Sequence, residues 1–170
     1  PIRRGDPAAL EILRHSAAHV MADAVQRLFP GTQVTIGPAV DDGVNGFYYD
    51  FDRPEGPFSD ADLERIEAEM KKTIERNDAF RREEVSRDRA AEIFRSMGET
   101  YKLEILEAIP AGEAISLYRH GEWMDLCQGP HVPSTGAIGA VKLLSVAGAY
   151  WRGNVKNKML KESLMLTEDE

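Results

Sequence analysis

Residues 7–29 read PAALEILRHSAAHVMADAVQRLF, a pattern that defines the first element of the fold. Apolar residues recur every three or four positions, which is the spacing of one buried face of an α-helix. Asp6 followed by Pro7 is a typical helix start, and the Pro-Gly pair at 30–31 ends the pattern. We therefore predict a long N-terminal helix. His15 and His19 are four residues apart, so they project from the same face of it.

Strand and helix patterns alternate through the remaining chain. Residues 47–51 are strand-like and follow turn signals at 37–38 and 41–43. A second helix is predicted at about 60–77 because Leu63, Ile66, Met70 and Ile74 form an apolar stripe behind Ser59, a capping residue. The other predicted elements are helices at about 86–97 and 101–108 and strands at about 80–85, 114–119, 122–126 and 138–146. Together they predict an α+β domain, with an antiparallel β-sheet and helices packed on one side.

The composition is that of an ordinary globular protein. The chain has 170 residues, a net charge of −8 and a single cysteine. A chain of this length can bury a stable core without covalent cross-links, and a single cysteine excludes an internal disulfide framework. No apolar run approaches the roughly 18 residues that span a bilayer, and the N-terminus lacks the apolar core of a signal peptide. We therefore expect a cytoplasmic protein with no membrane partner.

The charge is unevenly distributed along the chain. Residues 126–161 contain no Asp or Glu and carry five positive charges, at Lys142, Arg152, Lys156, Lys158 and Lys161. The acidic residues lie mainly upstream, between residues 59 and 107. The basic strip could contact a phosphate backbone, or it could be a solvated lysine-rich surface, and charge alone does not distinguish the two.

The most informative chemical pattern joins two distant pairs. His15 and His19 form H-x-x-x-H on the helix, and Cys127 and His131 form C-x-x-x-H in a Gly-Pro turn. This set contains the only cysteine and three of the four histidines, which indicates one site. Asp125 lies two residues before Cys127, on the same face of a predicted strand. Two readings are open: a metal cage, or a cluster of polar groups around a reacting substrate.

Several blocks in a fixed order carry a resemblance to a known family. They are HSAAH (15–19), IGP (36–38), GFYYDF (46–51), GETYK (98–102), MDLCQGPHVP (124–133), VAGAYWRG (146–153) and NKML (157–160). In this order the chain resembles the editing domain of bacterial-type threonyl-tRNA synthetase, the second additional domain shared with alanyl-tRNA synthetase. Pro130 before His131 favours the threonyl branch, because the alanyl branch usually has Thr there.

The resemblance implies a proofreading hydrolase. A threonine site cannot reject serine well, because one missing methyl group is worth only about 1–3 kcal/mol. A second site is then expected to hydrolyse seryl-tRNA(Thr) by attack of water on the aminoacyl ester. The implied partners are the 3′ acceptor end of tRNA(Thr) and the rest of a threonyl-tRNA synthetase, an enzyme of protein biosynthesis.

The resemblance also assigns roles to individual residues. His15 and His19 would position the terminal adenosine and the water, while Lys102 would assist water activation or stabilise the oxyanion as a cation. Asp125 would bind the substrate ammonium and orient a neighbour, and Cys127 and His131 would complete the pocket wall. Candidate substrate-binding residues are Tyr48 and Tyr49 at the ribose or amino acid, and Arg152, Lys156 and Lys158 at phosphates.

The resemblance leaves the metal question open but favours one answer. His15, His19, Cys127 and His131 would make an acceptable zinc site, and in the alanyl relatives this set binds zinc. The threonyl branch generally works without it, so we expect no cofactor and keep zinc as the alternative. An alternative function is a zinc-binding tRNA-docking or regulatory module without catalysis.

The chain departs from the family at two places. The turn at 41–46 is a few residues longer than usual, and the sequence after Leu160 does not resemble the continuation toward the ligase domain. We expect an editing domain over residues 1–160 and an acidic tail of unknown role over 161–170. Because nothing here resembles the ligase domain, the chain is expected to be either a piece of a synthetase or a freestanding relative.

Overall fold

The computed structural model describes residues 7–35, 47–150 and 159–167. The helices are α1 (Pro7–Leu28), α2 (Asp60–Arg76), α3 (Arg87–Met97) and α4 (Thr100–Ala108). The strands are β1 (Gln33–Val34), β2 (Phe47–Asp52), β3 (Arg81–Val85), β4 (Ile115–His120), β5 (Trp123–Leu126), β6 (Lys142–Tyr150) and β7 (Met159–Thr167). The predicted α+β class is confirmed. Within the described ranges, the strands divide between two antiparallel sheets, ordered β1-β2-β7-β6 and β3-β4-β5.

Helix α1 is the central element of the larger core. Its stripe of small and medium apolar residues is fully buried, from Ala17 and Ala18 to Val25. Small side chains let the helix approach its neighbours closely, and α1 packs against both α2 and β2. The same core includes Tyr49 and Phe51 of β2. The predicted N-terminal helix is therefore observed, and its buried face is the one that carries His19.

Helix α2 begins and ends as the sequence predicts. The Ser59 hydroxyl accepts a hydrogen bond from the Asp62 amide at 3.3 Å, and the Asp62 carboxylate accepts one from the Ser59 amide at 3.0 Å. This reciprocal pair is a capping box. The helix ends at Asn77, whose φ of 55° is a left-handed conformation that asparagine tolerates. Its buried residues are Leu63, Ile66, Met70 and Thr73, and Ile74 packs against the core from a half-buried position.

The two faces of the three-stranded sheet have different surroundings, the second core on one face and α1 on the other. Ile115 and Leu117 of β4 face a second, smaller core that contains Ala90 and Phe94 of α3. The alternate residues of the same strands face α1, because successive side chains in a strand point to opposite faces. The predicted hairpin is present, with His120 paired to Trp123 across the turn. This alternation places Trp123 and Asp125 on the side of α1.

The strand predicted at 138–146 begins later than expected. Residues Thr135–Ala137 form a 3₁₀ turn, and the amide of Ile138 bonds to the Thr135 carbonyl. Ile138 is buried, so its apolar character reflects core packing rather than a strand. Gly139 has a φ of 79°, which breaks extended backbone before β6 starts at Lys142. The prediction was wrong at this boundary, because one buried apolar residue in a turn resembles the start of a strand.

Strand β7 lies between β2 and β6. Tyr49 pairs with Leu164, and Ala147 pairs with Ser163. The strand therefore crosses residue 160, at which the sequence analysis divides the domain from its tail. The turn at 41–46 and the basic residues Arg152, Lys156 and Lys158 lie outside the described residues. In the part of the chain that is described, no helix is both long and apolar enough to cross a membrane.

Candidate active site

The two distant motifs meet in one cluster. The Sγ atom of Cys127 lies 3.3 Å from Nε2 of His15 and 3.3 Å from Nε2 of His131. The ring of His131 lies 4.2 Å, centroid to centroid, from the rings of both His15 and His19. Helix α1 presents the first pair and the turn after β5 presents the second. The four side chains are therefore close enough to act on one small ligand.

The turn that carries Cys127 and His131 is anchored at both ends. The Cys127 amide donates to the Ser116 carbonyl at 3.1 Å, and the Ser116 hydroxyl donates back to the Cys127 carbonyl at 2.6 Å. At the other end, the Val132 amide donates to the Ser16 hydroxyl at 3.0 Å. Gly129 between them has a φ of 76°, and a Cβ there would overlap the Tyr118 hydroxyl. Only glycine satisfies both conditions, so the turn holds Cys127 and His131 in one arrangement.

The hydrogen-bond network assigns a tautomer to His131. The Ser16 hydroxyl donates its only hydrogen to the Ile12 carbonyl at 2.8 Å, so it can only accept at the 2.9 Å contact with Nδ1 of His131. Nδ1 therefore carries the proton and Nε2 has a free lone pair. This lone pair faces Cys127, whose thiol can donate to it. His131 is thus prepared as an acceptor or as a ligand through Nε2.

A second polar group, buried beside the cluster, centres on Asp125. The Lys102 ammonium lies 2.8 Å from Oδ1 and 3.0 Å from Oδ2 of Asp125. The Tyr49 hydroxyl donates to Oδ2 at 2.8 Å, and Lys102 lies 3.3 Å from that hydroxyl. Lys102 and Asp125 are each 3% exposed and Tyr49 is fully buried. Nε2 of His19 lies 3.9 Å from Oδ2 of Asp125, so His19 joins this group to the four-residue cluster.

Burial keeps the cluster uncharged. Desolvation lowers the pKa of His131 to about 3, and electrostatic interactions with the nearby imidazoles of His15 and His120 lower it further. Desolvation also lowers the pKa of His15, and that of His19 well below its usual range. The same cause raises the pKa of the Cys127 thiol to about 12. At neutral pH the site therefore contains three neutral imidazoles and a protonated thiol next to a buried Lys–Asp pair.

This arrangement suits the hydrolysis of a carbonyl compound. A neutral imidazole can position water and accept a proton, and a buried ammonium can stabilise negative charge that develops on an oxygen. The protonated thiol is a poor nucleophile, since the thiolate is the reactive form. The geometry thus favours direct attack by water over a covalent intermediate on Cys127.

Comparisons with known proteins identify the family of this site. A family model described as "Threonyl and Alanyl tRNA synthetase second additional domain" matches residues 115–161, which include Asp125, Cys127 and His131. The chain belongs to this family. It is 59% identical over 160 residues to a threonine–tRNA ligase of Oleidesulfovibrio alaskensis, an alignment covering 94% of this chain and 24% of the relative. It is also 55% identical over 161 residues to the enzyme of Parvibaculum lavamentivorans, with the same coverage of both chains.

A third relative has a similar identity and coverage. The threonine–tRNA ligase of Rhodospirillum rubrum is 58% identical over 157 residues, which is 92% of this chain and 24% of the relative. The chain thus spans about a quarter of the length of the curated relatives it matches. The family resemblance predicted from the ordered blocks is confirmed.

The structure brings together most of the site residues that the sequence analysis predicted. The six predicted catalytic residues form one continuous group, and Tyr49 joins it through Asp125; the six are His15, His19, Lys102, Asp125, Cys127 and His131. The side chain of Tyr48 lies outside what the structure describes, as do Arg152, Lys156 and Lys158. Their assignment to substrate binding stays a prediction.

Sequence reasoning missed the residues that support the site. Ser16 fixes His131, and Tyr118 packs edge-on against the His131 ring at 4.5 Å. Phe80 also stacks on that ring, with centroids 4.8 Å apart and planes 4° from parallel. Trp123 contacts the His19 ring at 5.2 Å. Only Ser16 carried a signal in the sequence, because it lies between the two histidines of the helix.

The donor set of this second additional domain also fits a metal ion. The candidate ligand atoms of the four cluster residues all lie within 4.8 Å of one another. Ligands of a tetrahedral zinc are about 3.3–3.8 Å apart, so the widest pair would have to move inward by about 1 Å. The free Nε2 of His131 and the thiol of Cys127 are suitable donors. Zinc here would supply a Lewis acid and would bring the thiol to its deprotonated form.

Proposed function

We propose that this protein hydrolyses the ester of seryl-tRNA(Thr), releasing serine and free tRNA. The observation that carries the proposal is the buried Lys102–Asp125–Tyr49 group directly beside three neutral imidazoles. Both groups are needed for ester hydrolysis by water, one to activate and position it and the other to stabilise the oxyanion. Membership in the threonyl and alanyl second additional domain family makes an aminoacyl-tRNA the natural ester.

The reaction proceeds through a tetrahedral intermediate. The oxygen of a water molecule, held by His15 and His19, attacks the ester carbon, and an imidazole nitrogen takes its proton. The Lys102 ammonium stabilises the negative charge on the former carbonyl oxygen. The bond from carbon to the ribose oxygen then breaks, and the imidazolium returns the proton to that oxygen. Serine leaves as the free acid, and the terminal adenosine regains its hydroxyl group.

The geometry refines the role proposed for Asp125. Its Oδ1 accepts from Lys102 and from the Leu126 amide at 2.7 Å, and its Oδ2 accepts from Tyr49 and Lys102. Both oxygens are thus already in use. We assign Asp125 chiefly to holding Lys102 and Tyr49 in place, and binding of the serine ammonium would require exchange with one of these contacts.

The proposal is tested by measuring hydrolysis of seryl-tRNA(Thr) and threonyl-tRNA(Thr) by this protein. We expect the seryl ester to be hydrolysed faster. Lys102→Met should reduce kcat by about 10²–10³-fold, as loss of an oxyanion-stabilising group does. Lys72→Met, which removes an exposed lysine of α2, is the matched control and should leave kcat unchanged. Wild-type protein that is folded and leaves the seryl ester intact would refute the proposal.

A second candidate function is a zinc-binding module that docks tRNA without catalysis. The observation that favours it is the set of three imidazoles and one thiol within 4.8 Å. The discriminating measurement is elemental analysis of protein purified without added metal, combined with thermal unfolding in the presence of a chelator. One equivalent of zinc, a large loss of stability on chelation and no deacylation would favour the docking module. Deacylation by protein that contains no zinc would exclude it.

The proposed partner is the 3′ acceptor end of tRNA(Thr), together with the remainder of a threonyl-tRNA synthetase. The ester lies at that end, and the site accepts it through the half-buried side of the cluster formed by His15, Cys127 and His131. Phosphate contacts by Arg152, Lys156 and Lys158 remain part of this proposal, since the basic strip is the region of the sequence without Asp or Glu.

A further inference from the structure

The fourth histidine, His120, lies outside the four-residue cluster and is 1% exposed at the end of β4. Its Nε2 atom lies 3.3 Å from Oδ2 of Asp23 on α1. A carboxylate can only accept, so the imidazole donates in this bond. Its Nδ1 atom is buried and makes no hydrogen bond among the described residues. A buried histidine with one specific bond and one unused nitrogen calls for a physical reason.

Asp23 is itself rigidly held. Arg27 donates to both of its oxygens at 2.9 Å, from Nε to Oδ1 and from Nη2 to Oδ2. The same guanidinium reaches Glu69 at 2.8 Å and Thr73 at 2.6 Å, both on α2. A bidentate arginine pair fixes the carboxylate plane as well as its position. His120 is therefore attached to a carboxylate that two helices hold in place.

The ring of His120 packs against two aromatic side chains, Phe80 and Trp123, called here the aromatic pair. The centroid distances are 5.1 Å to Phe80 and 5.3 Å to Trp123. Phe80 also stacks on His131 at 4.8 Å, and Trp123 also contacts His19 at 5.2 Å. Each member of the aromatic pair thus connects His120 to one histidine of the site.

We infer that His120, fixed by Asp23, is a positioning residue that sets the ring orientations of His19 and His131 through the aromatic pair. The inference rests on the proposed deacylation for its kinetic consequence, but the ring orientation is a property of the protein alone. His120 donates to Asp23 and packs on the rings of Phe80 and Trp123, so its proposed action on the site passes through these two rings. A displacement of a reacting group by about 1 Å can cost about 10²-fold in rate, so such positioning has a measurable effect.

The test compares three variants in the seryl-tRNA(Thr) deacylation assay. His120→Leu removes the bond to Asp23 and the ring, whereas His120→Gln can still donate to Asp23 through its amide. Asp23→Asn keeps the volume of Asp23 and removes its charge, and it decides the question if His120→Leu does not fold. We expect kcat to fall by about 10- to 100-fold in His120→Leu with KM unchanged, and to be partly restored in His120→Gln, which keeps the bond to Asp23 but not the ring.

Arg87→Met is the control for a general loss of stability. Arg87 donates to the Leu106 and Ile109 carbonyls in the second core and contacts neither member of the aromatic pair. Its variant should unfold more easily and keep the wild-type kcat. A folded His120→Leu protein with wild-type kcat, or equal kcat losses in His120→Leu and His120→Gln, would overturn the inference.

A second readout separates this inference from the proposed function. The ¹⁵N NMR signals of the imidazole nitrogens report which nitrogen of His131 carries the proton. In wild-type protein the signals should show the Nδ1–H form, and in His120→Leu they should move toward a mixture of both forms. If no sample hydrolyses seryl-tRNA(Thr), the proposed function is refuted. The positioning role of His120 is then tested by the NMR measurement alone. An unchanged His131 tautomer in His120→Leu would then refute the positioning role.

Discussion

At the scale of single residues, burial determines which form each reacting group takes. His19 and His131 are neutral because an imidazolium in this site would lose its hydration without gaining an acceptor. Cys127 is a thiol for the same reason. Lys102 and Asp125 are charged and paired, with the Tyr49 hydroxyl completing their hydrogen bonds. A site with neutral bases and one buried cation differs from a cysteine-hydrolase site, in which the thiol must ionise.

The low pKa of His131 predicts that acid destabilises the protein. Between pH 6.5 and about 3 the unfolded chain binds a proton at this residue and the folded protein does not, so the free energy of unfolding falls as pH falls through that window. Urea unfolding of wild-type protein at pH 7, 6 and 5 should show this slope. His131→Asn should show a shallower slope, although it is less stable at pH 7 because the bond to Ser16 changes.

The carboxyl of Glu99 changes the free energy of unfolding with pH in the direction opposite to His131, and the two effects can be separated. Burial raises the pKa of this carboxyl, so protonation in the folded state adds stability as pH falls below the raised value. Its effect is the same in wild-type and His131→Asn protein and cancels when the two slopes are compared. Equal slopes in the two proteins would contradict the assignment of a low pKa to His131.

The raised pKa of Cys127 predicts slow alkylation. At pH 8 almost none of the thiol is ionised when its pKa is about 12, whereas a free cysteine is substantially ionised. Folded protein should react with iodoacetamide much more slowly than the same chain in urea, as followed by mass spectrometry. Cys127 is the single cysteine, so the whole signal belongs to this residue. Equal rates in the two states would show that the thiol ionises readily in the folded site.

At the scale of elements, the start of α4 is held by consecutive side chains. Glu99 accepts from the Gln26 amide and from the Val34 backbone amide at 3.3 Å. The Thr100 amide donates to Gln33 at 2.8 Å, and the Tyr101 hydroxyl donates to Asp52 at 2.8 Å. Lys102 follows directly. The GETYK segment thus places Lys102 by contacts to α1, β1 and β2, which explains why a short helix with little amphipathic character is well positioned.

Loss of the Glu99 contacts should therefore affect both stability and catalysis. Glu99→Ala leaves the Val34 amide and the Gln26 amide without their buried acceptor, so we expect the free energy of unfolding to fall by about 1–3 kcal/mol. Deacylation of seryl-tRNA(Thr) should also slow, because Lys102 lies in the first turn of α4. Glu107→Ala, an exposed change in the last turn of the same helix, serves as the comparison. If Glu99→Ala matched it in both measurements, the anchoring role of Glu99 would be wrong.

At the scale of the whole molecule, the proposed function requires an acidic protein to bind a polyanion. The net charge of −8 opposes tRNA binding, and the basic residues of the strip at 126–161 are the ones available to favour it. We therefore expect weak binding of tRNA by this protein, concentrated on a small basic area.

The affinity for tRNA should depend strongly on salt. Each phosphate contact lowers the slope of log K against log salt by about 0.7–0.9, so three contacts predict a slope of roughly −2 to −3. Changing Arg152, Lys156 and Lys158 together to Gln should abolish most of this slope. Changing Arg65, Lys71 and Lys72 of α2 to Gln removes the same charge elsewhere and should preserve it. Binding that does not vary with salt would contradict phosphate contact by the strip.

The sequence by itself determined the elements and the membership of the central cluster. Periodicity defined α1 and α2, and the capping residue Ser59 defined where α2 begins. The spacing of His15, His19, Cys127 and His131 indicated one site, because rare residue types were concentrated in two short motifs. These features depend on contacts between near neighbours in the chain, which sequence patterns record directly.

Only the tertiary structure decided which distant groups support that cluster. The division of the strands into two sheets, the late start of β6 and the place of β7 between β2 and β6 all depend on long-range pairing. The same holds for the Lys102–Asp125 contact, the tautomer of His131 and the connection from Asp23 through His120 to the aromatic pair. Each of these results from packing that brings together side chains remote in sequence, and no local pattern of residue types specifies such packing.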